Sequence, residues 1–312
     1  MTGERIWKRL RHAVLEIVLL GVCVWLHFQS EYFLTKDNLL LVLRNVSEIG
    51  IIAFGMTMVI IAGEIDLSVG SAAAFAGCLT AFLVELGLSP WVAVPCTIAV
   101  GAASGAFIGF ARAKFNVPTF ITSLALLTGL SGAAFKLTGG YPLSSFPGGF
   151  SYLGNGYVAG IPLPVLIFAG VFAAAHVLMS HTPFGRSVYA VGGNAEAARL
   201  CGINVTGVRV SVLAVTGSLA ALSGILLASR MSAGSPEVAK GWELDVIAAV
   251  IVGGTSLTGG SGRVWGTLIG VVFIGVIVNG MRLLDIHEDG QLIARGIIIL
   301  AAVLLSKLQQ DE

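Results

Sequence analysis

The sequence predicts an all-α polytopic membrane protein with about ten transmembrane helices, some of them broken or re-entrant, and three observations carry that reading. Hydrophobic residues make up 56% of the chain and charged residues only 11%, with a mean hydropathy of +0.91, whereas soluble domains are roughly 25% charged. Apolar runs able to cross a hydrocarbon core about 30 Å thick follow one another almost from end to end. Glycine supplies 41 of 312 residues against a usual ~7%, as suits helices that approach closely or break. Little chain is left over, so residues 1–312 read as one transmembrane domain.

The first run, 13–29, follows Arg5, Lys8, Arg9 and Arg11. Without a small-residue cleavage site ahead of a soluble chain, it is expected to stay as a helix. The runs 46–62, 69–86, 91–111, 117–135, 161–180, 208–229, 245–258, 264–281 and 291–306 come next. The basic groups Arg5 to Arg11, Arg112 with Lys114, Arg186 with Arg199 and Arg209, Arg263, and Lys307 all fall on one side of this arrangement. The positive-inside rule makes that side, and both termini, cytoplasmic. Lys36, Arg44, Arg230, Lys240 and Arg282 fall opposite, beside Glu31, Asp37, Glu237, Glu243 and Asp285, so orientation rests on a majority. Gly101-x-x-x-Gly105-x-x-x-Gly109 and Gly266-x-x-x-Gly270 put glycines on single helix faces, where helix packing is the expected use. Two connections are long: an outer loop, 136–160, rich in glycine, proline and aromatics, and an inner loop, 181–209, with a short helix capped by Asn194 and stopped at Gly202.

Several functions are excluded or disfavoured. A net charge of +1, with basic residues at helix ends, leaves no footprint for nucleic acid. Cys23, Cys78, Cys96 and Cys201 are far apart, and the five histidines lack metal-ligand spacing. No G-x-x-x-x-G-K-[ST] loop occurs, so any ATP used must be hydrolysed on another chain.

Charge nevertheless enters the apolar pattern at GEIDLSVGS, residues 63–71. Gly63 is expected to end one helix, Asp66 or Ser68 to accept hydrogen bonds from amides opening the next, and Gly70 to allow close backbone approach. A rival reading makes Glu64 or Asp66 a proton-coupling group, the default for an ionisable residue at membrane depth. VIIAGEIDLSVGS at 59–71 is also echoed by VIVGGTSLTGGS at 250–261, where Gly254, Thr255 and Ser256 occupy the second break. Paired breaks in two halves of a chain point to a transport path.

GMTMVIIAGEIDLSVGS at 55–71, FNVPTFITSLALLTGLSG at 115–132, TPFGRSVYAVGGNAEAARLCGI at 182–203, WELDVIAAVIVGGTSLTGGSGRVWGTLIG at 242–270, and Asn279-Gly280 occur in order. Together they resemble the permease subunit of ribose/xylose-type ABC sugar importers, related to amino-acid importer permeases, over nearly the whole chain. The resemblance implies a bacterial inner-membrane permease that dimerises with a second copy or a paralogue, sits in membrane lipid, and imports a monosaccharide, a ribose-like pentose or a hexose. It implies a periplasmic sugar-binding protein and a partner ATPase that carries the ATP and Mg; this chain needs no cofactor and catalyses no covalent step. The E-A-A-x-x-x-G spacing of Glu196, Ala197, Ala198 and Gly202 resembles the family's coupling motif. The ATPase-coupling loop is accordingly expected to use Gly185, Arg186, Gly193, Asn194, Glu196, Ala197, Ala198 and Gly202. Small Ala197 and Ala198 would lie together in the ATPase cleft. Gly63, Asp66, Ser68, Gly70, Gly254, Thr255 and Ser256 are expected at the path or its helix breaks, and Glu243 and Asp245 at an outer gate or binding-protein contact. Asp245 also suits a helix cap. Relatives often have glycine at Glu64 and an arginine-glycine pair at Ser131-Gly132. The remaining alternatives are a proton- or sodium-coupled carrier using Glu64 or Asp66, an amino-acid importer permease, and a structural membrane component.

Overall fold

The computed structural model describes residues 14–310; Arg5, Lys8, Arg9 and Arg11 lie outside them. The chain runs through α1 (Val14–Gln29), α2 (Lys36–Ile61), α3 (Val69–Glu85), α4 (Pro90–Phe115) and α5 (Thr119–Thr138). A short α6 (Tyr152–Asn155) and a two-stranded hairpin of β1 (Tyr157–Val158) and β2 (Ile161–Pro162) then lead into α7 (Leu163–His181). After α8 (Pro183–Gly193) and α9 (Ala195–Leu200), which lie at one end of the bundle, come α10 (Val205–Met231), α11 (Trp242–Val252), α12 (Val264–Leu283) and α13 (Glu288–Gln310).

Among the described residues, α2, α4, α5, α7, α10 and α12 are long and apolar enough to cross a membrane, and α1 and α3 are shorter apolar helices. The run 46–62 belongs to a helix that already starts at Lys36. The run 245–258 corresponds to only 11 helical residues, about 16 Å at 1.5 Å per residue. Too short to span, it stops where Gly253 and Gly254 interrupt the apolar pattern. The outer loop starts at 139 rather than 136, because Lys136 to Thr138 complete α5. Residues 205–209, expected in the inner loop, open α10.

The two most deeply packed spans are α2 and α10, each with 61% of its apolar stretch buried, against 11% for α5. Glycine explains why α10 can sit at the centre. A β-carbon at Gly101 would run into the Gly217 carbonyl and Ala221, one at Gly105 would overlap the Leu213 carbonyl, and one at Gly109 would meet the Val210 backbone. On another side, a β-carbon at Gly224 would overlap the Ala73 carbonyl of α3. Similarly, α12 lays Gly266 and Gly270 on Gly253 and Ala249 at the end of α11. Both glycine faces foreseen in the sequence therefore serve packing within this chain. With no hydrophobic drive between helices in lipid, such close backbone approach supplies the dispersion contact that holds them.

Replacing Gly105 with leucine forces side-chain atoms into the α10 backbone. A loss of about 1–3 kcal/mol, typical of overpacking, is expected as a lower unfolding temperature in detergent. Gly129→Ala, which faces open space on α5, should leave that temperature unchanged or slightly raised.

Candidate functional site

The paired sequence echo becomes a paired structural motif. At the end of α2, Gly63 N donates to Ile60 O (2.9 Å) and Glu64 N to Val59 O (3.0 Å); at the end of α11, Gly254 N donates to Ile251 O (2.8 Å) and Thr255 N to Val250 O (3.2 Å). Gly63 at φ +77° and Gly254 at φ +86° supply the left-handed residue. Both ends are Schellman caps, which satisfy carbonyls that a terminated helix leaves bare. Gly63 thus ends its helix as its sequence position implied.

Beyond the caps the two copies diverge. Residues 62–68 run beside the start of α5, with Ile65 N donating to Thr119 Oγ1 (3.3 Å) and Leu67 N to Ser123 Oγ (3.0 Å). The spacing matches: two residues of extended chain cover about 6.6 Å, and four residues of helix about 6 Å. Hydroxyls at i and i+4 of α5 therefore serve alternate amides of the extended segment. Asp66 is 1% exposed, and its Oδ1 accepts from Ser68 N (2.8 Å) and Ser68 Oγ (2.6 Å). Asp66 thus accepts from the amide just ahead of α3 rather than from its opening turn, and Ser68 makes no side-chain cap to it.

Glu64 ties this segment to three further helices. Its Oε1 lies 2.7 Å from Arg209 Nε at the start of α10 and 3.4 Å from Arg112 Nε near the end of α4. Its Oε2 accepts from Thr119 Oγ1 at 2.8 Å. A carboxylate only 5% exposed is stabilised here by two guanidinium groups and a hydroxyl.

Helices α3 and α11 both begin inside the bundle. Ala73 and Gly77 of α3 lie against Gly224 and Ala228 in the last third of α10, and Val69 is one turn earlier. A β-carbon at Gly70 would meet the Ala239 carbonyl and the Glu243 carboxylate, which puts the first turn of α11 beside the first turn of α3. Gly70 serves the close approach expected of it. Only the Gly63–Glu64 end of GEIDLSVGS reaches the α8–α9 end; Asp66 and Ser68 lie within the protein. Asp245 is a correction: Gly241 is the N-cap of α11 with no side-chain bond. The Asp245 carboxylate, 4% exposed, pairs instead with Arg295 of α13 at 3.1 Å.

From Gly254 the second break returns to the α8–α9 end through a hairpin in which Ser256 N donates to Ser261 O (3.1 Å) and Ser256 Oγ pairs with Thr258 Oγ1 (2.8 Å). Thr255 is fully buried. There the two breaks meet: Gly260 N donates to Ile61 O (2.9 Å), and a β-carbon at Gly259 would sit 3.0 Å from Gly63 Cα. Beside them, Thr57 and Thr267 share a hydrogen bond of 2.6 Å between α2 and α12.

Helix α8 closes over this meeting point. Thr182 Oγ1 accepts from Gly185 N (3.2 Å) to cap it, and Gly185 packs on the carbonyls that end α7. Gly192 lies so close to Ile61 that a β-carbon would overlap its carbonyl oxygen. The Tyr189 hydroxyl donates to Gly262 O at 2.9 Å. Burial pushes the Tyr189 phenol up, against the opposing pull of Arg263, so it stays a donor at neutral pH. Asn194 Oδ1 accepts from Ala197 N (2.9 Å), capping α9, and Gly202 at φ +83° ends it. Arg186, Gly193, Asn194, Glu196, Ala197 and Gly202 are exposed, but Ala198 is buried. Successive helix residues point about 100° apart, so Ala197 and Ala198 do not share an outer face. Leu200, 80% exposed, and the Glu196–Arg199 pair (2.8 Å) complete the exposed surface.

Sequence reading missed Thr119, Ser123, Arg112, Arg209, Tyr189, Gly192 and Arg295 as parts of the site. The hydroxyl spacing at 119 and 123 was a usable signal; Arg112 and Arg209 looked like topology markers alone, and Arg295 lay unremarked within the run 291–306. Also missed was Glu48 of α2, whose Oε1 lies 3.2 Å from Arg230.

Removing the Glu64 carboxylate leaves Arg112 and Arg209 facing each other without a counter-charge. Glu64→Ala is expected to cost roughly 2 kcal/mol, less than a dry pair because both arginines reach solvent. Thermal unfolding in detergent should show a clear drop, and the additional Arg209→Ala change should restore part of it.

Comparisons with known proteins agree on one family. The family model described as branched-chain amino acid transport system / permease component matches residues 38–303. The ribose import permease protein RbsC of Haemophilus influenzae is 45% identical over 87% of this chain and 85% of its own length. RbsC of Escherichia coli K12 is 41% identical over 94% of this chain and 93% of its own, and the L-arabinose transport system permease protein AraH of Escherichia coli K12 is 34% identical over 98% and 92%. No solved structure matches. The chain therefore belongs to the permease family described as the branched-chain amino acid transport system permease component.

Proposed function

We propose that this chain is the permease subunit of an ABC importer for a monosaccharide, a ribose-like pentose or a hexose. The observation that carries the reading is full-length similarity to ribose and arabinose permeases at 34–45% identity. It favours sugar over amino acid, although the family description names amino-acid transport. The subunit catalyses no reaction; ATP and Mg belong to a separate ATPase. In the bacterial inner membrane the chain has about ten membrane segments, counting the broken ones, with both termini and the α8–α9 end facing the cytoplasm. A second copy or paralogue completes the pathway, a periplasmic binding protein delivers sugar at the opposite end, and the ATPase holds α8 and α9. ATP binding then favours one packing of the dimer and release another, so access alternates.

Two features support the coupling role of α8 and α9. They are capped at Thr182 and Asn194, and α8 rests on both helix breaks. A proton-coupled carrier fits less well, because Glu64 is neutralised by two arginines and Asp66 bonds to Ser68.

In vesicles holding the permease with its ATPase and binding protein, ribose uptake should require internal or external ATP on the ATPase side and survive an uncoupler. Uptake that persists without ATP and collapses with the uncoupler would sink the proposal. Asp66→Asn keeps an acceptor for Ser68 and should retain uptake. Combining Glu196→Arg with Gly202→Pro, which proline cannot satisfy at positive φ, should abolish co-purification of the ATPase while the permease stays folded.

A further inference from the structure

The contact between α8 and the two breaks is made almost wholly of backbone. Gly192 touches Ile61 O, the last helical carbonyl of α2, and approaches Gly260 N, which itself donates to that same carbonyl at 2.9 Å. Gly259 and Gly260 lie against Gly192, Gly193 and Gly63. Three chain segments remote in sequence thus meet with no side chain between them. Close-packed backbone transmits displacement, because it has no rotamers to absorb it. One side chain crosses the junction: Tyr189, one helical turn before Gly193, donates its hydroxyl to Gly262 O at the far side of the hairpin. It bonds α8 to the 253–263 hairpin at a second point, so the hairpin cannot pivot about the Ile61–Gly260 bond.

We propose that Tyr189 and Gly192 form the joint through which the α8–α9 loop moves both broken helices as one body, with Tyr189 as a positioning residue for transport. This rests on the importer reading above. When the ATPase shifts α8, Gly192 carries the end of α2 and the start of the 62–68 segment, while Tyr189 carries the hairpin that links α11 to α12. Since α3 and α11 start beside each other at Gly70 and Glu243, movement of the two breaks reaches the interior from both sides. The Tyr189 hydroxyl is spent on Gly262, so the effect expected of it is on transmission and not on docking or sugar recognition.

The test uses the assembled complex of permease, ATPase and binding protein in vesicles, and compares the unaltered chain with Tyr189→Phe, Gly192→Ala and the double variant. Tyr189→Phe is expected to keep ATPase co-purification and ATP hydrolysis without binding protein. Ribose uptake, and the stimulation of hydrolysis by ribose-loaded binding protein, should fall about fivefold, as when one neutral hydrogen bond is lost from the step it serves. The concentration of loaded binding protein at half-maximal uptake should not change. Gly192→Ala should reduce uptake further, and the double variant should be no worse than Gly192→Ala, since both act at one joint. Unchanged uptake in Tyr189→Phe, loss of the ATPase from that variant, a fall that tracks its unfolding temperature, or strict additivity in the double variant each overturns the joint. Absence of an ATPase from the unaltered chain would instead remove the importer reading on which the joint stands.

Discussion

Helices α3 and α11 begin inside an apolar bundle and α2 and α11 stop beneath its α8–α9 end, and every buried backbone group they leave open must find a partner within the protein. In lipid no water is available to serve them, and each unmet group costs several kcal/mol. The arrangement around α2, α3 and α11 follows from that constraint. Schellman caps close the carbonyls of both breaks, hydroxyls of Thr119 and Ser123 take the amides of the extended segment, and Ile61 O receives Gly260 N. Thr119 serves twice, accepting from Ile65 N and donating to Glu64. Helix α8 lies across both breaks, with Gly192 and Gly193 against Ile61 and Gly260.

Glycine makes the solution sterically possible. A carbonyl can receive a bond from another segment only if no β-carbon stands between them, and Gly192, Gly259 and Gly260 leave that space at the junction. The same residue type has a different use along α4 and α10, where Gly101, Gly105 and Gly217 bring two long helices into backbone contact. In the first case glycine joins three segments remote in sequence; in the second it packs two long helices along their length.

The buried carboxylates obey a parallel rule. Glu64 meets Arg112 and Arg209, Glu48 meets Arg230, Asp245 meets Arg295, and Asp66 meets Ser68. The ion pairs join segments that packing alone would leave free to slide, whereas the Asp66–Ser68 bond is local to one turn of chain. Buried pairs add little net stability over apolar substitutes, yet they are costly to break singly. Their effect is to define which helix ends belong together: Glu64 fixes the break to α4, α5 and α10, and Asp245 fixes the last helix to the short α11.

Composition and apolar run length determined the class of this protein, because a chain so hydrophobic has one solvent in which it can fold. Local chemistry also determined the helix ends: glycine at 63, 202 and 254 can take positive φ, and Asn194 can reach the amide three residues on, whatever surrounds them. The glycine faces of α4 and α12 were legible as packing surfaces, though not their partners. What the tertiary structure decided is which distant groups meet. Asp245 looked like a cap until Arg295 arrived from α13, and the run 245–258 looked like a span until its glycines stopped the helix at Val252. Glu64 looked like an intrusion until two arginines and a threonine from three other helices converged on it. Such convergence depends on the path of the whole chain, and no local spacing encodes a partner many tens of residues away.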